Sequence, residues 1–166
     1  MKNIAIAIAF SLGLLASAYA HGPSGHGAKH GSHGNAPVVK EQKDWGIAGE
    51  PKSVTSTIRI DMTDDMKFTP NNIAVKLNET LRFQVFNKGK VLHEMVIGTK
   101  KELDEHAEMM KKFPNMEHDE PYMAHVDPGK RSDIVWLFNR EGSFEFACLI
   151  PGHYQAGMTG KITVTK

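Results

Sequence analysis

Residues 146–158 read FACLIPGHYQAGM and contain the only cysteine of the 166-residue chain. His153 follows Cys148 by five residues, and Met158 follows His153 by five. A Pro-Gly pair between the cysteine and the histidine bends this segment, and an alternating strand pattern resumes after the methionine. The loop can therefore fold His153 and Met158 back over the sulfur of Cys148.

The stretch before the loop, GSFEFAC (142–148), alternates like a β-strand. Phe144, Phe146 and Cys148 share one face of this strand, and Ala147 lies on the other. Because phenylalanine rings belong in a core, the thiol is expected to point inward at the end of its strand.

A thiolate, an imidazole and a thioether are soft or borderline metal ligands. Two histidines and a cysteine in a plane, with a weak axial methionine, form the ligand set of electron-transfer copper sites. His93 in KVLHEMVIG, at the start of an upstream strand, is the candidate for the second imidazole. Three other histidines compete for this role but lie in a less constrained segment (His106, His118, His125). The predicted metal ligands are His93, Cys148, His153 and Met158.

Other interpretations of the lone cysteine stay open. An unpaired cysteine in an exported protein can form an intermolecular disulfide, act as a reactive thiol or fill an apolar core. A cysteine with two histidines would also suit zinc. A thioether at the fourth position is typical of copper and rare for zinc, so Met158 favours copper.

The N-terminal sequence MKNIAIAIAFSLGLLASAYA (1–20) has one lysine, a short apolar run and a small-residue cleavage motif. This pattern is typical of a secretory signal peptide, and the run is short for a membrane anchor. We expect export without stable membrane insertion. Without Lys2, the 20 basic residues become 19 and match the 19 acidic ones, which argues against a nucleic-acid partner.

Residues 21–52 are rich in Gly, His, Lys and Pro, and a segment of this kind buries too little surface to fold alone. The stretch HGPSGHGAKHGSHG is predicted to capture metal, although a simple spacer would look similar. Its four histidines are candidate secondary copper ligands: His21, His26, His30 and His33.

From residue 53 to 166 the pattern is that of one all-β domain. In TLRFQVFNKG, Leu81, Phe83 and Val85 alternate with polar residues, as in a half-buried strand. Further short strands are predicted in SVTSTIRIDM, LHEMVIG, RSDIVWLFN, GSFEFAC and GKITVTK. Many short strands separated by turn signals indicate a β-sandwich or barrel.

Residues 100–128 form a predicted helical insertion, because KKELDEHAEMMKKF lacks Gly and Pro and has apolar residues at helical spacing. Met123 and His125 in YMAHV are expected to share one strand face. The insertion is a candidate second copper-handling surface, unless its methionines are core filler and its histidines are solvated. Its candidate ligands are His106, Met109, Met110, Met116, His118, Met123 and His125.

VLHEMVIG and GSFEFACLIPGHYQAGM resemble the cupredoxins, the plastocyanin and pseudoazurin group of copper proteins. The resemblance covers about residues 53–166 and implies a Greek-key β-sandwich with copper on His93, Cys148, His153 and Met158. The tail and insertion look most like the periplasmic copper-tolerance cupredoxins of the CopI type. Two features depart from plastocyanins: Glu94 stands where asparagine is common, and the insertion is long.

The resemblance implies a periplasmic, redox-active copper protein that acts in copper tolerance. The alternative is a mobile electron carrier for a respiratory or photosynthetic partner, docking through His153 and an apolar patch of Leu149, Ile150 and Pro151. Further copper centres would require His-x-His pairs, and a dinuclear thiolate centre or CxxC chemistry would require two cysteines. The chain has no His-x-His pair and only one cysteine. We expect no enzymatic activity beyond incidental Cu(I) oxidation.

Overall fold

Alternating apolar residues form short strands that pair into two five-stranded sheets. The computed structural model describes residues 40–114, 116 and 118–166; the predicted signal peptide and the four tail histidines lie outside them. The described strands are β1 (Ile47–Ala48), β2 (Ser56–Thr63), β3 (Lys67–Thr69), β4 (Asn72–Lys76), β5 (Thr80–Asn87), β6 (His93–Gly98), β7 (Met123–Val126), β8 (Arg131–Leu137), β9 (Gly142–Ala147) and β10 (Thr159–Thr165). A short 3-10 helix occupies Pro51–Ser53, and α1 spans Lys100–Lys112.

The first sheet has the order β1-β8-β5-β2-β3, and the second has the order β4-β10-β9-β6-β7. Most neighbours are antiparallel, but β2 pairs with β5 and β4 pairs with β10 in parallel. In the second sheet, β6 lies between β7 and β9, so the strand that begins at His93 neighbours the strand that precedes Cys148.

Side chains from the inner faces of both sheets form one core. Phe83 and Val85 of the first sheet are fully buried, as predicted from their alternation, and they share this core with Phe146 and Ile162 of the second sheet. Period-two alternation places every second residue of a strand on the same face, so each sheet contributes one apolar face. The predicted all-β sandwich is confirmed.

A second, smaller core lies on the outer face of the second sheet, where α1 covers it. Leu103 and Met110 of the helix pack with Val96 of β6 and Ala147 of β9. This cover explains why all six residues of β6 are buried and why Ala147, predicted on the face opposite Phe146, is also inaccessible. The Thr99 side chain caps α1 by accepting a hydrogen bond from the Glu102 N–H.

The insertion at 100–128 is not helical throughout. After α1 the chain returns as β7, which pairs antiparallel with β6, with Glu94 opposite His125. Met123 and His125 lie two residues apart in this strand and share a face, as predicted. None of the helices in the described residues has the length and apolar character that a bilayer span requires.

The sandwich extends N-terminally of residue 53. Trp45 and Ala48 are buried, and β1 pairs with β8. The indole Nε1–H of Trp136 donates to the Trp45 carbonyl at 3.0 Å, and the two indole rings stack. Residues 45–48 therefore belong to the folded domain, although the surrounding composition indicated a flexible tail, because one tryptophan supplies enough apolar surface to anchor the segment.

Candidate metal centre

The loop between β9 and β10 closes as the sequence predicts. Cys148 follows β9 directly and Met158 precedes β10 directly. The Cys148 N–H donates to the Met158 carbonyl at 3.1 Å, and the Met158 N–H donates to the His153 carbonyl at 3.1 Å. The backbone of all three residues is thus tied together at one end of the second sheet.

His93, Cys148 and His153 bring one donor atom each into a group in which all the atoms lie within 4.8 Å of one another. The Cys148 Sγ lies 3.3 Å from the His153 Nδ1, and the two imidazole centroids are 4.9 Å apart. His93, Cys148 and Met158 are fully buried, whereas His153 is half-buried. Met158 lies in the same core cluster as Cys148.

The tautomer of His93 follows from its one hydrogen bond. Its Nε2 lies 3.1 Å from Oδ1 of Asp64, in the turn between β2 and β3. A carboxylate only accepts, so Nε2 carries the proton and Nδ1 carries a lone pair. That Nδ1 is buried and has no hydrogen-bond partner in the described part of the chain. A buried, unpaired lone pair is costly, and a metal ion would satisfy it.

The segment that leads into His93 is fixed by hydrogen bonds. The buried Asn87 donates from Nδ2 to the Val91 and Val126 carbonyls, both at 2.7 Å. The Gly89 N–H donates to Asn87 Oδ1 at 2.8 Å, and the Lys90 N–H donates to Asp64 Oδ2 at 2.8 Å. His93 therefore enters β6 from a restrained turn, as a preorganised metal ligand requires.

Burial, together with the nearby Glu94 carboxylate, raises the pKa of the Cys148 thiol from 9.0 to about 12. The Glu94 N–H opposes this by donating to the sulfur at 3.4 Å. Without a cation the sulfur keeps its proton at neutral pH, and the sulfur lies 3.3 Å from the His153 Nδ1. A metal ion that replaced this proton would meet both donor atoms already in place.

Glu94 is buried on the outer face of β6, under the insertion. Its Oε1 accepts a hydrogen bond from the Leu149 N–H at 2.7 Å, next to Cys148. Its Oε2 lies 2.9 Å from Nε2 of His125, an ion-pair contact that lacks the geometry of a directed hydrogen bond. The residue after the first histidine thus fixes the cysteine loop, although a glutamate replaces the common asparagine.

His106 of α1, His125 of β7 and His118 between them form a second cluster. The His106 and His118 Nε2 atoms are 2.8 Å apart, and the His118 and His125 ring centroids are 5.6 Å apart. The His118 Nδ1 donates to the Met116 carbonyl at 2.9 Å. The Nε2 of His118 therefore carries the lone pair and accepts a hydrogen bond from the His106 Nε2. Burial and the neighbouring His118 lower the pKa of His106.

The methionines of the insertion separate into two groups. Met110 and Met123 are buried in the smaller core between α1 and the second sheet, so packing explains their presence. Met109 and Met116 are exposed. The insertion histidines are separate from the cysteine site, so His93 is the histidine that joins Cys148 and His153.

One predicted surface does not form as expected. Leu149, assigned to an apolar docking patch around His153, is 1% exposed and packs in the outer core beneath α1. Ile150 is half-buried and Pro151 is exposed. Leu149 is buried because it lies on the same outer face of the sheet as Ala147, two residues earlier, and α1 covers that face.

Comparison with known proteins identifies the fold and the chemistry together. Residues 54–165 match the family model of copper-binding proteins of the plastocyanin/azurin family. The chain belongs to this family. It is 43% identical over 139 residues to the copper-resistant cuproprotein CopI of Rubrivivax gelatinosus, covering 83% of this chain and 84% of the relative. It is 34% identical to the CopI protein of Vibrio cholerae, covering 86% and 85%.

Solved cupredoxin structures share the sandwich. Auracyanin B superposes with a TM-score of 0.61 at 20% identity, covering 75% of this chain and 97% of auracyanin B. The auracyanin of Roseiflexus castenholzii gives a TM-score of 0.59 at 21% identity, with 68% and 99% covered. At these identities the likeness concerns the fold alone.

The donor set of this cupredoxin fits copper. The Cys148 thiol, the unpaired Nδ1 of His93, the Nδ1 of His153 and the buried Met158 lie together at the end of one sheet. Asp64 and Glu94, which support the site, were not predicted as site residues. Asp64 comes from a turn of the opposite sheet, and no sequence spacing connects it to His93.

Proposed function

We propose that this cupredoxin is a periplasmic copper-tolerance protein that binds copper through His93, Cys148, His153 and Met158. The observation that carries the assignment is the convergence of three donor atoms within 4.8 Å, with an unpaired Nδ1 on the buried His93. Its CopI relatives are copper-resistant cuproproteins, which supports a role in resistance. Export is supported by the signal-peptide pattern of residues 1–20.

Bound copper would supply one-electron chemistry between Cu(I) and Cu(II). The chain's part is to hold the donors in one arrangement, so that little rearrangement accompanies a change of oxidation state. Cys148 is fixed by the hydrogen bonds of its loop, and His93 by Asp64. The half-buried His153 is the ligand that solvent or a partner can reach.

Two further groups of residues would capture additional copper as cargo. The His106, His118 and His125 cluster supports this role, because two of its nitrogens already lie 2.8 Å apart. Met109 and Met116 are exposed and could assist with Cu(I), which favours thioethers. The tail histidines at 21, 26, 30 and 33 would act in the same way. Copper stored there would pass to the cysteine site. Beyond incidental oxidation of Cu(I), in which the electron goes to an acceptor from solution such as dioxygen, we propose no enzymatic activity.

Absorption spectroscopy tests the first site. Protein purified from the periplasm and given Cu(II) should develop a visible thiolate-to-copper charge-transfer band. Cys148→Ser should abolish this band, and Met158→Leu should shift it while copper stays bound. A colourless wild-type protein at stoichiometric copper would contradict the proposed ligand set.

Copper titration tests the additional sites. Asparagine at the four tail histidines keeps the length of the tail, and His106→Gln with His118→Gln removes the close pair on the insertion. Each change should lower the number of coppers bound per chain and increase the copper sensitivity of cells, while the visible band stays. Unchanged stoichiometry and unchanged sensitivity would refute the cargo role.

The second candidate is a mobile electron carrier, favoured by the partial exposure of His153 beside the exposed Pro151. Deletion of the gene separates the two functions. A carrier predicts a respiratory or photosynthetic defect in low copper. A tolerance protein predicts normal growth in low copper and impaired growth in excess copper.

A further inference from the structure

Among the described residues, Asp64 is the only carboxylate that contacts the imidazole of His93, and hydrogen bonds hold both of its oxygens. Its Oδ1 accepts from the His93 Nε2 at 3.1 Å, and its Oδ2 accepts from the Lys90 N–H at 2.8 Å. Both oxygens are thus committed, one to the ligand and one to the backbone that leads to it. The Lys90 N–H and the neighbouring His93 both lower the pKa of Asp64.

The glycine at position 89 makes room for this contact. A Cβ at Gly89 would lie 1.9 Å from Asp64 Oδ1 and 3.1 Å from His93 Nε2. Any side chain there would push the carboxylate away from the imidazole. Asp64 itself lies in the turn between β2 and β3, where Met66 adopts a φ of 60°, which is uncommon for a residue other than glycine.

The two proposed histidine ligands differ in their burial and in the partner of their Nε2 atom. His93 is fully buried with its Nε2 held by a carboxylate, whereas His153 is half-buried and no hydrogen bond to its Nε2 is found among the described residues. A carboxylate on the far nitrogen fixes ring orientation and tautomer and increases the basicity of the nitrogen that faces a metal. Its negative charge also favours Cu(II) over Cu(I), since attraction grows with the charge of the ion.

We propose that Asp64 is a positioning residue of the copper site, which holds His93 in its Nε2–H tautomer and biases the site toward Cu(II). This inference rests on the proposed ligand role of His93. A mere turn-stabilising role would need only the bond from Lys90, so the state of the His93 ring and the copper preference separate the two roles.

The first test needs no copper. Histidine side-chain ¹H–¹⁵N correlations of the labelled, copper-free protein should show His93 as the Nε2–H tautomer alone. Asp64→Ala should give a mixture of the Nε2–H and Nδ1–H tautomers. Gly89→Ala should do the same by displacing the carboxylate without removing it. Asp65→Asn is the matched control, because Asp65 contacts Lys67 instead and should leave His93 unchanged.

The second test measures copper. Asp64→Asn keeps an oxygen for His93 but removes the charge, so the ratio of Cu(II) to Cu(I) affinity should fall about tenfold, which raises the reduction potential by about 59 mV. Asp65→Asn should leave the potential unchanged. If Asp64→Ala does not fold, Gly89→Ala and Asp64→Asn carry the two tests.

A single Nε2–H tautomer that persists in both Asp64→Ala and Gly89→Ala would overturn the positioning role. A potential for Asp64→Asn equal to that of Asp65→Asn would overturn the electrostatic role. Neither result would remove the visible band of the wild-type protein, so failure of this inference is distinct from failure of the proposed copper site.

Discussion

The carboxylate of Glu94 joins the cysteine loop to the insertion: its Oε1 accepts from the Leu149 N–H at 2.7 Å, and its Oε2 lies 2.9 Å from His125 Nε2. Its backbone N–H donates to the Cys148 sulfur at 3.4 Å. A single buried residue therefore contacts the sulfur ligand, the loop that carries it and the second histidine cluster.

Replacement of this carboxylate should separate its two contacts. Glu94→Gln keeps an oxygen for the Leu149 N–H, whereas Glu94→Ala leaves that buried donor unpaired and should cost about 1–3 kcal/mol of unfolding free energy. Urea unfolding of the copper-free variants measures the difference. Equal stability of the Ala and Gln variants would show that the bond to Leu149 contributes nothing.

The contact between His125 and Glu94 should make stability depend on pH. The carboxylate raises the pKa of His125 above its ordinary value of 6.5, against the opposing effect of burial. A raised pKa in the folded state stabilises the protein fully below the unfolded value, and this contribution is lost as pH rises through the folded value.

The difference in unfolding free energy between wild type and His125→Gln should thus be larger at about pH 6 than at about pH 9. Copper-free protein isolates the effect, and His118→Gln controls for the loss of a neighbouring imidazole. A difference that grows toward pH 9 would contradict the ion pair.

Binding of copper should release a proton from Cys148 even in alkaline solution. With a pKa of about 12 instead of 9.0, the metal-free thiol stays protonated at pH 9. A thiol of pKa 9.0 would be half-ionised there and would release about half a proton. Calorimetry in buffers of different ionisation enthalpy measures the number released.

Cys148→Ser is the control for this measurement, because the serine hydroxyl that replaces the thiol does not ionise between pH 7 and pH 9. A proton release that falls by half between pH 7 and pH 9 would show that the thiol is not shifted.

The helix of the insertion should stabilise the domain as a core element. Leu103 is 1% exposed and packs on the outer face of the second sheet, so Leu103→Ala should cost about 2–5 kcal/mol. Met109→Ala on the exposed side of α1 should change stability by less than about 0.5 kcal/mol. Thermal or urea unfolding compares the two variants. A similarly small change in unfolding free energy for both would mean that α1 does not stabilise the domain.

The sequence predicted the sandwich because period-two alternation is a local property. The inward positions of Phe83 and Val85 follow directly from it, as does the burial of Cys148 after Phe146. The loop from Cys148 to Met158 was also predictable, since all its donors lie within eleven residues.

Contacts between distant turns were not predictable. Asp64 reaches His93 across 29 positions, through a turn geometry that residue identities do not reveal. The inward orientation of Leu149 depends on α1 covering the second sheet, and the burial of Trp45 depends on Trp136, 91 residues away. In each case a partner far along the chain decides the environment of a residue whose neighbours indicate something else.

Of the four proposed ligands, only the ring at position 153 has surface open to water; the other three are at 0% exposure. Exchange of an ion with the surroundings therefore has one approach, past the edge of that ring and the short turn that carries it. The Tyr154 hydroxyl ties this turn to α1 through Asp104 at 2.7 Å. A helix on the outer face of the sheet thus restrains the turn past which small chelators and copper-donating proteins would have to approach.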